Sequence, residues 1–280
     1  MRQACIDTQP ITRNPSPSRV GLAIARLTVC PAASREPHLT PWHLERILPV
    51  KQPFVPRADD IILATQPKCG TTWIKALAFT ITNASRHAQA HVVAPARHRS
   101  LGCRVVYLWR DPKDALVSRL HFKNKAFPGT DLSMDGSFSM FCERFSPYGP
   151  FWDHCLEYWR ESVARPDSVL FLKYEEIMSD LAQVVRKLVK FLRVPPTEEE
   201  ESSGVAQEVV RLCSFETLTS LQVNQVGGIR HGDSGSIGSS AFYRKGEVQV
   251  GDWANHMSHE MGDKFNRIVQ HKLEGSGLVF

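Results

Sequence analysis

The stretch that most constrains this chain is Asp60-Ile-Ile-Leu-Ala-Thr65, followed by Gln66-Pro-Lys-Cys-Gly70 and then Thr71 to Asn83. The first piece is a short apolar run of the kind a buried strand needs. The second is a loop by its proline and glycine. The third carries Trp73, Ile74, Leu77, Ala78 and Ile81 at helical spacing. Strand, glycine loop and helix make one mononucleotide-binding unit. Its loop is an anion site, because the first amides of the helix have no intrahelical acceptor and point at the bound group. Gly70 lets the backbone approach closely, Lys68 supplies a mobile point charge, Thr71 and Thr72 offer hydroxyls, and Trp73 offers a flat face for a purine. This is not a Walker loop: the lysine precedes the glycine, so GxxxxGK[ST] does not occur.

A second unit of the same kind follows. Cys103 to Trp109 reads as a strand, Arg110-Asp111-Pro112 breaks it, and Pro112 suits the first position of a helix through Phe122. Pro150 to Arg165 reads as an amphipathic helix, Ser168 to Lys173 as a third strand, Leu181 to Leu192 as a helix, and Thr197 to Glu201 as the opening of another. Residues 222–242 are Gly/Ser-rich and poor in apolar side chains and read as a loop, and Glu260 to Leu273 as a closing helix. Strands alternating with helices predict an α/β fold, a three-layer sandwich with a central parallel sheet and a P-loop-like anion loop.

Composition narrows the partners. The net charge is +5, from 34 basic and 29 acidic residues without a dense basic run. That suits a small anion and argues against nucleic acid. No apolar run reaches membrane-spanning length. The seven cysteines (Cys5, Cys30, Cys69, Cys103, Cys142, Cys155 and Cys213) are odd in number and include no CxxC pair. A disulfide framework or a structural metal site is therefore not expected, and a reducing, cytoplasmic setting is. Residues 1–37, rich in Arg, Ser and Pro, read as a disordered or targeting-like extension, and 38–280 as the functional domain.

The string Pro67-Lys-Cys-Gly-Thr-Thr-Trp73 resembles the 5′-phosphosulfate loop of cytosolic sulfotransferases, and its cysteine version resembles the plant flavonol- and brassinosteroid-type members. The resemblance extends along the chain in ordered segments. Val105 to Ser118 is similar to the family's 3′-phosphate segment, Tyr148 to His154 and Phe171 to Glu176 to its middle segments. Arg211 to Phe215 and Tyr243-Arg-Lys-Gly246 with Gly251-Asp-Trp253 are similar to its C-terminal signature. The resemblance implies 3′-phosphoadenosine-5′-phosphosulfate (PAPS) as co-substrate, no metal, and a small hydroxylated acceptor such as a flavonoid, steroid or phenol. It further implies that Lys68, Cys69, Gly70, Thr71, Thr72 and Trp73 hold the phosphosulfate and stack the adenine. Arg110 and Ser118 would bind the 3′-phosphate, Tyr174 would meet the adenine side, and Arg244, Lys245 and Gly246 would close over the 3′-phosphate. Two separate basic sites suit a nucleotide charged at both ends, and an arginine fork suits a terminal phosphate. Lys68 would also stabilise charge on the bridging oxygen as the bond to phosphate breaks.

Three departures stand out. The family's general base is a histidine in a Thr-His-x-Pro-like segment upstream of the 3′-phosphate strand, and that segment is not recognisable. Lys68 and Arg110 are only 42 residues apart, about half the family's gap, which points to an internal deletion near 85–102. His91 and His98 are the nearest substitutes, His91 being closer to the expected position. Second, Arg244 to Trp253 is two residues longer than the family's RKGxxGDW. Third, Ala254 to Asp263 lacks the lysine, valine and glutamate of the animal-type dimer motif. Two rivals stand beside this reading: a nucleotide-binding homologue that lost catalysis with the missing segment, and another transferase or kinase using a phosphate loop, which the absent Walker lysine and the lack of a magnesium carboxylate beside Thr71 disfavour.

Overall fold

The computed structural model describes residues 60–84, 90–92, 103–127, 129, 132–143, 151–194, 204–230, 236–243 and 250–279. Strand β1 (Ile61–Thr65) leads into helix α1 (Thr71–Ala84), then come β2 (Ala90–Val92), β3 (Arg104–Trp109) and α2 (Pro112–Ala126). Helices α3 (Met134–Cys142) and α4 (Phe151–Ala164) precede β4 (Val169–Lys173). After it come α5 (Tyr174–Ser179), α6 (Leu181–Leu192), α7 (Val205–Leu212), α8 (Phe215–Ser220) and α9 (Gln222–Val226). Strands β5 (Gly228–Arg230) and β6 (Ser236–Gly238) and helix α10 (His259–Leu273) complete the order.

The main sheet is parallel, in the order β2-β1-β3-β4. Its central strands are apolar throughout because both faces are covered. Alternation along each strand then divides the core in two. Ile61, Leu63, Val106, Leu108 and Leu172 face α1 and α6, where Ile74, Leu77, Val184 and Leu188 are buried. Ile62, Ala64, Val105, Tyr107, Trp109 and Val169 face α2, α3, α4 and α10, where Leu116, Phe141, Trp152 and Phe265 are buried. Each such side chain contributes about 1.5–3 kcal/mol over leaving it exposed. The result is three layers, helices on both sides of a parallel sheet, as the sequence predicts.

The order places β2 on one side of β1 and β3 on the other, so the chain reverses its direction of winding at β1. In open α/β sheets that reversal opens a crevice beyond the carboxyl ends of the strands, where ligands bind. The loops after β1 and β3 flank that switch point.

The reading of 222–242 as a loop is corrected. The segment holds α9, an antiparallel β5–β6 pair and a 3₁₀ turn at Ser239–Ala241. Gly227 and Gly228 serve close packing. A Cβ at Gly227 would fall 2.2 Å from the Val223 carbonyl oxygen, and one at Gly228 would fall 2.4 Å from Ser236 Oγ. Helices α3, α5, α7 and α8 and strand β2 are additions to the predicted elements. The expected helix at Thr197–Glu201 and the extension 1–37 lie outside the described residues. Among the described residues, no helix is long and apolar enough to cross a membrane.

Candidate active site

The loop after β1 is a tight turn. The Cys69 amide donates to the Gln66 carbonyl (3.1 Å), with Pro67 and Lys68 between them. Proline favours the second position of such a turn, and in its type II form the third takes positive φ. Lys68 occupies it with φ of 68°. A side chain in this region carries strain of order 1–2 kcal/mol, which the surrounding structure must hold in place. Gly70, at φ of 95°, closes the loop, and its carbonyl accepts from the Trp73 and Ile74 amides to start α1. Glycine is required there on two counts: the backbone angle, and a Cβ that would meet Tyr174 Cδ2 at 2.8 Å and Leu108 Cδ2 at 2.9 Å. Thr71 and Thr72 form the first turn of α1, and Thr72 is exposed.

Arg110 follows β3 and reaches across to this loop. Its Nη1 donates to the Lys68 carbonyl oxygen at 3.1 Å. The two basic positions predicted from sequence are thus neighbours. Arg110 is 4% exposed, so it is no surface charge, and its buried Nε has no partner. Its guanidinium lies 4.4 Å over the Tyr174 ring, at the carboxyl end of β4. Tyr174 therefore stands where three strand-end loops meet: against Gly70, beneath Arg110, and edge-on to Trp73 at 5.7 Å between centroids.

Lys68 points its ammonium at the Phe242 carbonyl (3.1 Å), 4.8 Å from the Phe122 ring centroid. Burial, with Arg110 and Lys125 beside it, pushes its pKa down to about 8. Lys125 holds the same segment through the Ser240 carbonyl (2.9 Å). Cys69 is fully buried, and burial pushes its thiol up to about 12, which makes it a packing residue with little thiolate at neutral pH.

Helix α2 is capped by Asp111, whose carboxylate accepts from the Lys113 amide (2.8 Å), with Pro112 at its first position. The Asp111 amide in turn donates to Glu175 Oε1 (2.9 Å). Burial raises the pKa of Glu175, whose Oε2 has no partner. Ser118 lies buried on α2. On the same helix Asp114, 2% exposed, accepts from the amides of Gly251 (2.8 Å) and Trp253 (2.9 Å) and so pins the Gly-Asp-Trp segment to the helix.

Trp73 is more enclosed than a free stacking platform. It is 8% exposed, its Nε1 donates to the Cys213 carbonyl (2.6 Å), and Phe215 stands 6.1 Å from it at a 52° tilt. Phe215, Phe242, Phe122 and Asp114 join the site without having been singled out as site residues. Phe215 and Asp114 lay in quoted motifs without a role of their own, and the contacts of Phe242 and Asp114 run through backbone atoms that leave no mark in a sequence. His91 sits in β2, in register with Ile62, four strand positions before Gln66. That places its backbone about 13 Å below the level of Gln66. Its side chain, with His98 and Arg244, Lys245 and Gly246, lies outside the described residues. His154 is a core histidine, 2.9 Å from the Tyr107 hydroxyl, and burial drives its pKa down to about 3. No cluster among the described residues could hold a metal ion.

Fold and site together define an α/β protein with a tight strand–turn–helix loop and a buried arginine at the switch point of its sheet. The sequence model of the family described as "Sulfotransferase domain" matches residues 58–101 and 84–277. The chain is 35% identical to cytosolic sulfotransferase 6 of Arabidopsis thaliana, over 86% of this chain and 86% of that protein. It is 33% identical to a flavonol 4′-sulfotransferase of Flaveria chlorifolia, over 85% and 86%. Among solved structures, an Arabidopsis thaliana putative steroid sulphotransferase aligns with a TM-score of 0.58 at 27% identity, over 85% of this chain and 84% of that one. A mouse sulfotransferase complexed with PAP shares the fold at a TM-score of 0.62 and 21% identity, over 80% and 86%. The chain belongs to the sulfotransferase family.

Proposed function

We propose that this chain transfers the sulfuryl group of PAPS to a hydroxyl of a small acceptor, a flavonoid, steroid or phenol. The observation that carries this reading is the buried Arg110, which bonds the Lys68 carbonyl while its Nε stays unpartnered. Burying a guanidinium without a full set of acceptors is costly. A phosphate in the crevice supplies the missing acceptor. Arg110, with Ser118 farther along α2, takes the 3′-phosphate. Lys68 and the amides opening α1 take the phosphosulfate. Trp73, Tyr174 and Phe215 flank the base, and Arg244, Lys245 and Gly246 bear on the 3′-phosphate from the C-terminal side.

In the transfer, the acceptor oxygen forms a new bond to sulfur as the bond from sulfur to the 5′-phosphate oxygen breaks. The electron pair leaves with the phosphate, giving 3′-phosphoadenosine-5′-phosphate (PAP), and the acceptor proton passes to a base. The Lys68 ammonium stabilises the charge growing on the departing oxygen. In the unliganded protein that ammonium is held by Phe242, so binding the nucleotide must exchange a carbonyl for a phosphate oxygen.

The domain assignment belongs to this reading. A shortening near 85–102 is supported by the two overlapping family matches, which meet at 84–101, and by the 42 residues between Lys68 and Arg110. Names of the plant relatives and the cysteine usage favour the cytoplasm. The mild charge favours no nucleic acid, and the unmatched Ala254–Asp263 stretch favours no animal-type dimer contact. The test is direct: the full chain incubated with radiolabelled PAPS and a panel of flavonols, sterols and phenols yields labelled product, and Lys68→Ala abolishes it. PAP binding without turnover on any acceptor would favour instead the catalytically impaired homologue.

A further inference from the structure

Among the described residues, Gln66, Arg110 and Glu175 each keep a buried side-chain polar atom without a hydrogen-bond partner. The three share one location. Gln66 follows the carboxyl end of β1, Arg110 that of β3, and Glu175 that of β4, three adjacent parallel strands. Frustrated polar groups gathered at one sheet edge mark where a ligand completes the hydrogen bonding.

The three differ in what they lack. Arg110 Nε can only donate, and Glu175 Oε2, when ionised, can only accept. Gln66 lacks both: it is 1% exposed, and Nε2 and Oε1 are each unpartnered. Its main-chain carbonyl accepts from the Cys69 amide (3.1 Å) and from Thr65 Oγ1 (3.0 Å), so the turn is closed by main-chain atoms and the carboxamide is not needed to shape it. Phosphate and sulfuryl oxygens accept only, and would satisfy Nε2 while leaving Oε1 bare. A hydroxyl satisfies both, giving its proton to Oε1 and taking one from Nε2.

We propose that Gln66 is an acceptor-positioning residue, whose carboxamide meets the hydroxyl that receives the sulfuryl group. This rests on the sulfotransferase reading above. That reaction brings a hydroxyl to the sulfur, in line with the departing phosphate, beside the loop that Gln66 opens two residues before Lys68. A neutral amide takes no proton. It fixes the direction of the O–H so that a lone pair faces sulfur, which is worth rate through alignment; the proton stays on the acceptor oxygen until the bond to sulfur forms and then leaves to the base that the transfer requires.

The test uses binding as well as turnover, on the full chain with Gln66→Leu and the near-isosteric Gln66→Met. Calorimetry follows PAP into the protein, then the flavonol kaempferol into the PAP-saturated protein, and thermal melts are recorded without ligand. PAP affinity stays within about threefold, kaempferol binding weakens about tenfold or more for two lost neutral hydrogen bonds, and the unliganded melting temperature holds or rises. Equal kaempferol affinity in wild type and variants, including no binding by either, overturns the proposal. So does an equal loss of PAP, or a lowered melting temperature in both variants, which would make Gln66 structural. A wild type that binds kaempferol but never turns over would sink the activity reading and, with it, the acceptor-positioning role, whereas turnover in the wild type with equal kaempferol affinity in the variants would sink this proposal alone.

Discussion

Replacing Gly70 with alanine perturbs two quantities that can be read separately. The backbone angle of 95° costs a residue with a Cβ about 1–2 kcal/mol. The new methyl also lands 2.8 Å from Tyr174 Cδ2 and 2.9 Å from Leu108 Cδ2. Tyr174 cannot swing away cheaply, since Arg110 covers its face and Trp73 its flank. Overpacking of this kind costs about 1–3 kcal/mol. Together the change should destabilise the protein by about 2–5 kcal/mol, or roughly 4–20 °C in melting temperature at about 2–4 °C per kcal/mol. Gly275→Ala is the control: its φ is 70°, and nothing lies within 4 Å of its would-be Cβ. It should show the strain alone. Urea denaturation gives the stabilities, and PAP titration reads the site, where Gly70→Ala should lose more than about tenfold as displaced Tyr174 carries Arg110 with it. If both variants lose the same stability and bind PAP equally well, the strand-end loops are not packed as described.

Three further outcomes follow from the same contacts. Lys68 titrates at about 8 against an ordinary 10.5, so the folded chain sheds its proton first. Folding stability therefore gains as pH rises from about 8 to 10.5, the buried charge being a burden below that window. The free enzyme's kcat/KM for PAPS moves oppositely, falling above about pH 8 in the wild type, while Lys68→Arg shifts that limb to higher pH; a profile flat through pH 9 would exclude the lysine. His91→Ala should leave transfer within about threefold, because the β2 register holds its backbone about 13 Å short of the level of Gln66; a hundredfold loss would restore it as the base. Asp114→Ala frees two backbone amides at once and should cost about 2–4 kcal/mol in urea denaturation, with Asp114→Asn intermediate.

The layered fold was legible because apolar runs and helical spacing agree with the proline and glycine between them. From Asp60 to Leu192 the predicted element bounds differ from those observed by at most a few residues. Helix α3 escaped notice because Gly136 and its serines are weak helix formers, and its start rests on the Ser133 side chain accepting from the Gly136 amide. The β5–β6 pair escaped because its glycines look like loop signals, although Gly228 and the adjoining Gly227 sit where a Cβ would collide with its surroundings. Within the site, residue types announced Lys68, Gly70 and Arg110. Their arrangement depends on carbonyls and amides, at Lys68, Phe242, Gly251 and Trp253, which every sequence has. The want of partners at Gln66 cannot be read from composition either, since glutamine is ordinary at a strand end.

The claim beneath all of this is that one adenosine nucleotide with phosphates on both its 3′ and 5′ positions fills the crevice between the β1 and β3 loops. Calorimetric titration of the full chain with PAP and with ADP, in wild type and Arg110→Ala, measures it. The prediction is a preference for PAP of about a hundredfold in the wild type that largely disappears in the variant, a charge-assisted contact being worth about 1.5–3 kcal/mol. ADP binding as tightly as PAP to the wild type, or an Arg110→Ala protein that keeps the preference intact, would contradict it.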